Sequence, residues 1–452
     1  MLISINERKN KKSAELMLCL EPIMGQRIAK RHAERGVILY NQQNYAEALI
    51  ELEDACRKLS KEEDIFRNLN YLCLVYMELG RYHDVLLSAK RQVVVSGQMQ
   101  NDSLQAEATF NMARAYERLG EYRTSVSLCT RSLVCKNLVD MSPLSGYAHL
   151  CLANSYYGLS EVRRSLKHYD KSAHVARILC DTVLELRVFM GLGQLFMTLQ
   201  DNATALQHYV RASEIARQFS ANHPCMKYQR RVAVEMAVVY AKLGRLGEAL
   251  EICEEAMKQA LTHGDRLVQA RCLLNFAEIH REKQNYQRAY PRYQSAYAIS
   301  METGDRKCQL DVLSGMALCA FGSQDMEQSV ELNEKVLKLS QEIDSKLDML
   351  ESHRRLCDVY MYLDSPEFSQ LHGFHVRQLL HELQLYCGVC TEIIGEKDEK
   401  LRPLPCYHMI HERCLVHLYR PTSSSTLSLQ RRRPCPTCRH RTSSNPISDE
   451  EF

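Results

Sequence analysis

One small residue recurs along most of this chain at a spacing of about 40 residues, as Ala48, Val85, Ser125, Ser165, Ala205, Ala249, Ala289 and Ser329. The two clearest copies surrounding it read Ala113, Tyr116, Gly120, Tyr122 and Ala237, Tyr240, Gly244, Ala249. A fixed period of this length predicts stacked helix-turn-helix units, none of which buries its apolar face without its neighbours. Each position in the pattern has a physical role. The first small residue lets the first helix of a unit approach the second, and the aromatic one turn on fills the gap. Gly ends the first helix in a left-handed conformation, and the later small residue permits close contact from the second helix. Gly264-Asp265-Arg266 returns as Gly304-Asp305-Arg306, where Gly can end one helix and Asp can cap the next.

This column resembles the tetratricopeptide repeat, with a longer period and mostly without its closing proline. The resemblance implies an all-α, right-handed superhelical solenoid of about eight repeats over residues 25–339, with helices about a turn longer than usual. Tyr45, Tyr82 and Tyr122 occupy equivalent positions; at helical spacing, packing is the expectation for them rather than ligand contact. Such arrays bind extended peptides or helices on their concave face.

Composition narrows the rest. A chain of 452 residues exceeds one compact core, and a formal charge of +3 points to no particular partner. No apolar run approaches a membrane span. Of the 19 cysteines, six fall in one cluster and most others sit singly within helical pattern, which favours reduced thiols over a disulfide framework. Residues 1–24 read as an N-terminal extension without the apolar core and cleavage site of a secretory signal. Were Met24 the start, Gly25 would be a myristoylation candidate, although Ala29 stands where Ser or Thr is preferred. Arg27, Lys30 and Arg31 would help one acyl chain hold an anionic bilayer. Residues 340–386 stay helical but less regular, either a short coiled coil or a last degenerate repeat with Tyr360 at the aromatic position.

The chemistry lies at 387–438. Cys387-x2-Cys390, Cys406-x-His408, His411-x2-Cys414 and Cys435-x2-Cys438 present eight ligands in four pairs. Zn2+ takes four tetrahedral Cys or His ligands, so eight make two closed, structural sites with no place for substrate. A segment this short needs the metal to fold. The order of ligands resembles the RING-H2 finger. The resemblance implies a cross-brace, with one ion on Cys387, Cys390, His411 and Cys414 and the other on Cys406, His408, Cys435 and Cys438. In RING ubiquitin ligases the positions of Val389, Pro436 and Arg439 contact the conjugating enzyme; a RING that only holds partner proteins is the alternative. A Ser/Thr-rich stretch, Thr422–Ser428, and Arg431–Arg433 make the finger basic, suited to an acidic peptide or bilayer. Nucleic acid is not expected, because no aromatics interleave the arginines. Residues 439–452 read as a disordered tail.

Taken together with Met24-Gly25-Gln26, Leu243-Gly-Arg-Leu-Gly247 and Ile394-Gly-Glu-Lys397, these features resemble the rapsyn family over about Met24 to Arg439. That resemblance implies a cytoplasmic protein, peripheral on the postsynaptic plasma membrane, that clusters nicotinic acetylcholine receptors. It implies receptor contact by about Phe321 to Leu363, self-association through the repeats before it, and a RING linked to dystroglycan and the cytoskeleton. A RING-type ubiquitin-like ligase whose repeats recruit substrate is the second reading.

Overall fold

The computed structural model describes residues 25–134, 142–219, 224–418 and 434–439. The expected readings on residues 1–24, Thr422–Ser428, Arg431–Arg433 and the tail beyond Arg439 lie outside them.

Helices dominate. Residues 25–41 form α1, followed by α2 (Tyr45–Lys58), α3 (Glu62–Glu78), α4 (Tyr82–Gln98), α5 (Asp102–Arg118), α6 (Tyr122–Leu133), α7 (Pro143–Gly158), α8 (Val162–Leu179) and α9 (Thr182–Thr198). The series continues with α10 (Asn202–Arg217), α11 (Lys227–Lys242), α12 (Leu246–Thr262), α13 (Arg266–Glu282), α14 (Tyr286–Thr303) and α15 (Arg306–Gly322). It ends with α16 (Met326–Glu342), α17 (Lys346–Tyr362) and α18 (Pro366–Leu383). They pack as consecutive antiparallel pairs. The small column falls on the fourth residue of every even-numbered helix from α2 to α16, and all eight residues are buried. Where it is Ser, the hydroxyl donates across the pair to a main-chain carbonyl: Ser125 to Ala113 at 2.9 Å, Ser165 to Ala153 at 2.9 Å and Ser329 to Ala317 at 3.1 Å. The less regular segment makes the same contact. Ser369, fourth in α18, donates to Cys357 at 3.3 Å, so α17 and α18 form a ninth pair beyond residue 339.

The turns explain how the pattern survives sequence drift. Gly80, Gly120 and Gly244 take φ of +74°, +76° and +77° after their helices. Elsewhere the same turn is made by Gln43, Ser160, Gln200, Gln284, Gln324 and Asp364, all left-handed. Asp265 and Asp305 cap α13 and α15, accepting from the main-chain N–H of Val268 at 3.2 Å and Cys308 at 3.0 Å. Tyr45, Tyr82 and Tyr122 are buried at the starts of their helices, between units.

The superhelix closes on itself. Gln43, in the first pair's turn, accepts from Arg230 of α11 at 2.9 Å. A Cβ on Gly80 would lie 2.8 Å from Thr303, and one on Gly120 would lie 2.8 Å from Ile343. Ser160 Oγ accepts from the Leu347 N–H at 2.8 Å. Each early turn therefore seats against a turn five pairs further on, and the odd-numbered helices face an inner lumen.

Candidate metal centre and its docking on the array

After α18 the chain leaves the solenoid for a small module of short strands, β1 (Leu401–Pro403) and β2 (Met409–His411), paired antiparallel, then a 3-10 turn, Glu412–Leu418. The sheet sets the site. It carries His411 at the end of β2, brings Cys406 and His408 onto the connection between strands, and leaves Cys414 in the following turn. The turns at Cys387–Cys390 and Cys435–Cys438 close on these from either side.

Two groups of donors converge. Cys387, Cys390, His411 and Cys414 form one, and Cys406, His408, Cys435 and Cys438 the other; within each, all ligand atoms lie within 4.8 Å of one another. Cys390 Sγ is 3.3 Å from His411 Nδ1, while His408 Nδ1 is 3.4 Å from Cys406 Sγ and 3.7 Å from Cys435 Sγ. Tetrahedral coordination with ordinary metal–sulfur and metal–nitrogen bonds gives donor separations of about 3.6 Å. The chemistry of the set also fits a cation. Although burial pushes the Cys387 thiol up, backbone N–H groups of Cys390, His411 and Val389 pull it below its usual value. Burial and the crowding of Cys435 and Cys438 push Cys406 up to about 12, and burial with Cys390 and Cys387 does the same to Cys414. Thiols that cannot all ionise together can do so around a divalent cation, and both groups could hold one. His411 Nε2 points at Glu399 from 3.7 Å, the carboxylate–histidine arrangement that orients a metal-bound imidazole.

Val389 is half-buried, while Pro436 and Arg439 are exposed. A Cβ on Gly388 would lie 2.9 Å from Pro436, so the first and last Cys turns abut. Gly25 opens the described part of α1, and Gln26 beside it accepts from Ser60 Oγ at 2.6 Å.

Spacing alone gave no sign that the module is built into the array. It docks on the fourth and fifth pairs. Tyr407 donates to Asp170 at 2.8 Å, Arg163 Nε donates to the Cys406 carbonyl at 2.9 Å, and the Leu401 N–H donates to Asp201 at 2.8 Å. Leu385, Ile394, Leu401 and Ile410 share one core with Leu166, Leu195 and Tyr209. The module thus takes the place that a tenth pair would occupy.

A family model described as the rapsyn N-terminal myristoylation and linker region matches residues 24–103, and tetratricopeptide-repeat models match 108–137 and 228–302. The 43 kDa receptor-associated protein of the synapse from Tetronarce californica is 37% identical over 190 residues, 42% of this chain and 46% of that protein. The protein of that description from Gallus gallus is 34% identical over 215 residues, 47% of this chain and 49% of its own. The matches to these curated homologues span about half of their length. Among solved structures, a Rap protein complexed with competence and sporulation factor superposes with a TM-score of 0.57 at 11% identity, covering 79% of this chain and 98% of that one. The Rap conjugation gene regulator of plasmid pLS20 gives 0.52 at 12% identity, covering 80% and 97%. At such identities these two show the helical-repeat fold alone.

Proposed function

We propose that this chain is a scaffold on the cytoplasmic face of the postsynaptic membrane, gathering nicotinic acetylcholine receptors and tying them to dystroglycan and the cytoskeleton. The observation that carries this reading is its homology to proteins named for association with a synaptic receptor. The match to the myristoylation and linker region begins at Met24, which supports initiation there and acylation of Gly25. Arg27 and Arg31 are exposed one turn along α1, suited to an anionic leaflet. Among the described residues no helix is long and apolar enough to cross a membrane, so attachment rests on this anchor.

Receptor contact belongs to the segment Phe321–Leu363 with α18 beside it. That end of the array exposes Met361 at 70%, together with Tyr362, Phe368, Leu371 and Phe374, an apolar surface suited to an amphipathic helix of a receptor loop. Self-association falls to the earlier repeats. The cysteine–histidine module is a RING-H2 holding two structural Zn2+ ions, with Cys387, Cys390, His411 and Cys414 on one and Cys406, His408, Cys435 and Cys438 on the other. Ligase activity toward a ubiquitin-like protein is the second reading; it rests on Val389, Pro436 and Arg439 standing where RING ligases meet the conjugating enzyme.

Imaging in cells that express the receptor tests the scaffold. Phe368→Ser with Phe374→Ser should leave self-assembled protein at the membrane without receptor, and sedimentation of the purified variant should be unchanged. Receptor co-clustering that survives this pair of changes would remove the contact from this surface. Mass spectrometry should find myristoyl-glycine from Gly25 at the mature N-terminus, and Gly25→Ala should release the protein from membranes. Ubiquitin transfer with purified conjugating enzyme, lost in Val389→Ala, would establish the ligase.

A further inference from the structure

The lumen divides into two electrostatically different parts. In its C-terminal part the cations are largely neutralised: Arg271 pairs with Asp311 at 2.7 Å, Arg281 with Glu278 at 2.7 Å, Arg354 with Glu351 at 3.0 Å, and Lys307 with Asp348 at 2.8 Å. In the N-terminal part, Arg114 and Arg118 of α5 and Arg187 of α9 line a cavity of about 200 Å3. Arg114 and Arg187 also line an adjoining one of about 610 Å3. Among the described residues none of these three guanidinium groups has a carboxylate at ion-pairing distance.

Glu78, Glu117 and Glu235 line the smaller cavity and Glu107 the larger; each has a nearer partner than these arginines, although Glu117 still attracts Arg118 and Arg187 across the space. Glu78 is shared by Lys227 and Arg231, at 2.7 Å from each. Glu107 accepts from Asn70 at 2.8 Å and Glu117 from Asn154 at 3.0 Å. Glu235 faces Arg271 from 3.9 Å. The positive potential is felt by a neighbour. Burial pushes the Tyr228 phenol up, yet Arg187, Lys227 and Arg231 bring it below its usual value. Arg114 lies over the Phe110 ring at 5.8 Å and Arg187 over Tyr147 at 5.5 Å, which holds both heads at the cavity wall. Tyr40 and Tyr228 complete an aromatic lining of the larger space.

We propose that Arg114, Arg118 and Arg187 form a binding site for an acidic peptide segment, whose side-chain or terminal carboxylate is received by the guanidinium groups while its apolar neighbours lie on Phe110, Tyr147 and Tyr228. Arginines are suited to this because the planar fork meets a carboxylate with two parallel hydrogen bonds. In a cavity walled by protein the attraction is stronger than at a surface. The site is distinct from the apolar surface of α17 and α18, and it stands whether or not that surface meets a receptor.

Calorimetric titration of the full-length protein tests it with hexaglutamate as probe and hexaglutamine as control. Hexaglutamate should bind and hexaglutamine should not. Arg114→Gln and Arg187→Gln, which keep the packing stem, should each weaken binding about tenfold or more, the scale of one charged hydrogen bond. Arg164→Gln, on the outer surface and already paired with Glu161, should not change it. Thermal melting read by circular dichroism distinguishes loss of the site from loss of fold; Arg187→Lys, which keeps the charge, should restore part of the affinity. Equal binding of both peptides, or hexaglutamate affinity unchanged in folded Arg114→Gln and Arg187→Gln, would overturn the proposal. Full displacement by inorganic phosphate at matched ionic strength would also overturn it, by reassigning the site to a small oxyanion.

Discussion

At the residue scale the most consequential ion pair is one that joins distant repeats. Glu78, at the end of α3, meets Lys227 and Arg231 of α11, with little solvent access for Glu78 and Lys227. Burial alone would raise the Glu78 carboxyl, but its two cations hold it far below the usual carboxylate range. A folded-state pKa below the unfolded one stabilises above the unfolded value, about 4.3, and that stability is lost as pH falls beneath it. Glu78→Gln should therefore cost about 3–5 kcal/mol near neutrality, the effect of leaving buried cations unpaired. It should also flatten the acid limb of stability between pH 5 and 3, read by urea unfolding at each pH. The left-handed glutamines give the opposite kind of test. Gln324 is exposed at φ +65°, where glycine is unstrained. Gln324→Gly should raise stability by about 0.5–1 kcal/mol after the extra unfolded-state entropy is counted. The sequence shows glycine at three of these turns and conceals the rest, because a side chain in this conformation costs little enough for tertiary packing to override it.

At the scale of the helix pair, the small column was legible because close approach excludes large side chains at one position per unit. Ser165→Ala should cost about 1 kcal/mol, the worth of its bond to Ala153. Ser165→Leu should cost several times more by overpacking a site with no space. Chemical denaturation of the two variants separates the hydroxyl from the volume. The glycines within helices were not legible in this way. A Cβ on Gly193 would fall 2.7 Å from the Tyr209 ring, and one on Gly315 would fall 2.4 Å from Tyr293. Each accepts a tyrosine from an adjacent helix, α10 for Gly193 and α14 for Gly315, a match visible only once the helices face each other. The ninth pair follows the same physics: Ser369 keeps the column and Tyr360 the aromatic position, although the turn residue between them has drifted from Gly to Asp364.

For the whole molecule, closure changes what can be removed cleanly. Removing residues 322–360 would take away Ile343 and Leu347, against which the turns at Gly120 and Ser160 are seated. Removing the first pairs would leave Arg230 without Gln43 and Lys227 and Arg231 without Glu78. Point substitutions on the outer face are therefore the cleaner probes of receptor contact and self-association. The docked module has a parallel consequence. The purified protein should carry two zinc ions by atomic absorption, and Cys406→Ser should retain about one. Because Cys406 and Tyr407 meet Arg163 and Asp170 of α8, that substitution should also raise hydrogen exchange in Val162–Leu179 while α2 to α4 stay protected. Unchanged exchange in α8 would mean that docking does not depend on the metal.

The sequence by itself determined the unit, its period, its small-residue contacts and the four pairs of thiol and imidazole donors. These are local: each depends on residues within one repeat or one tight turn, so spacing reports them directly. Tertiary structure decided the rest. It set how many pairs complete a superhelical turn, which carboxylates neutralise which cations, and where the metal module comes to rest. Those outcomes depend on small rotations between successive pairs, summed over five of them before Gln43 meets Arg230 or Asp201 meets Leu401. No local pattern encodes that sum. For the same reason Arg114, Arg118 and Arg187, ordinary helix charges in the sequence, come to share one cavity without direct ion pairs among the described residues only when the array has curled round to enclose them.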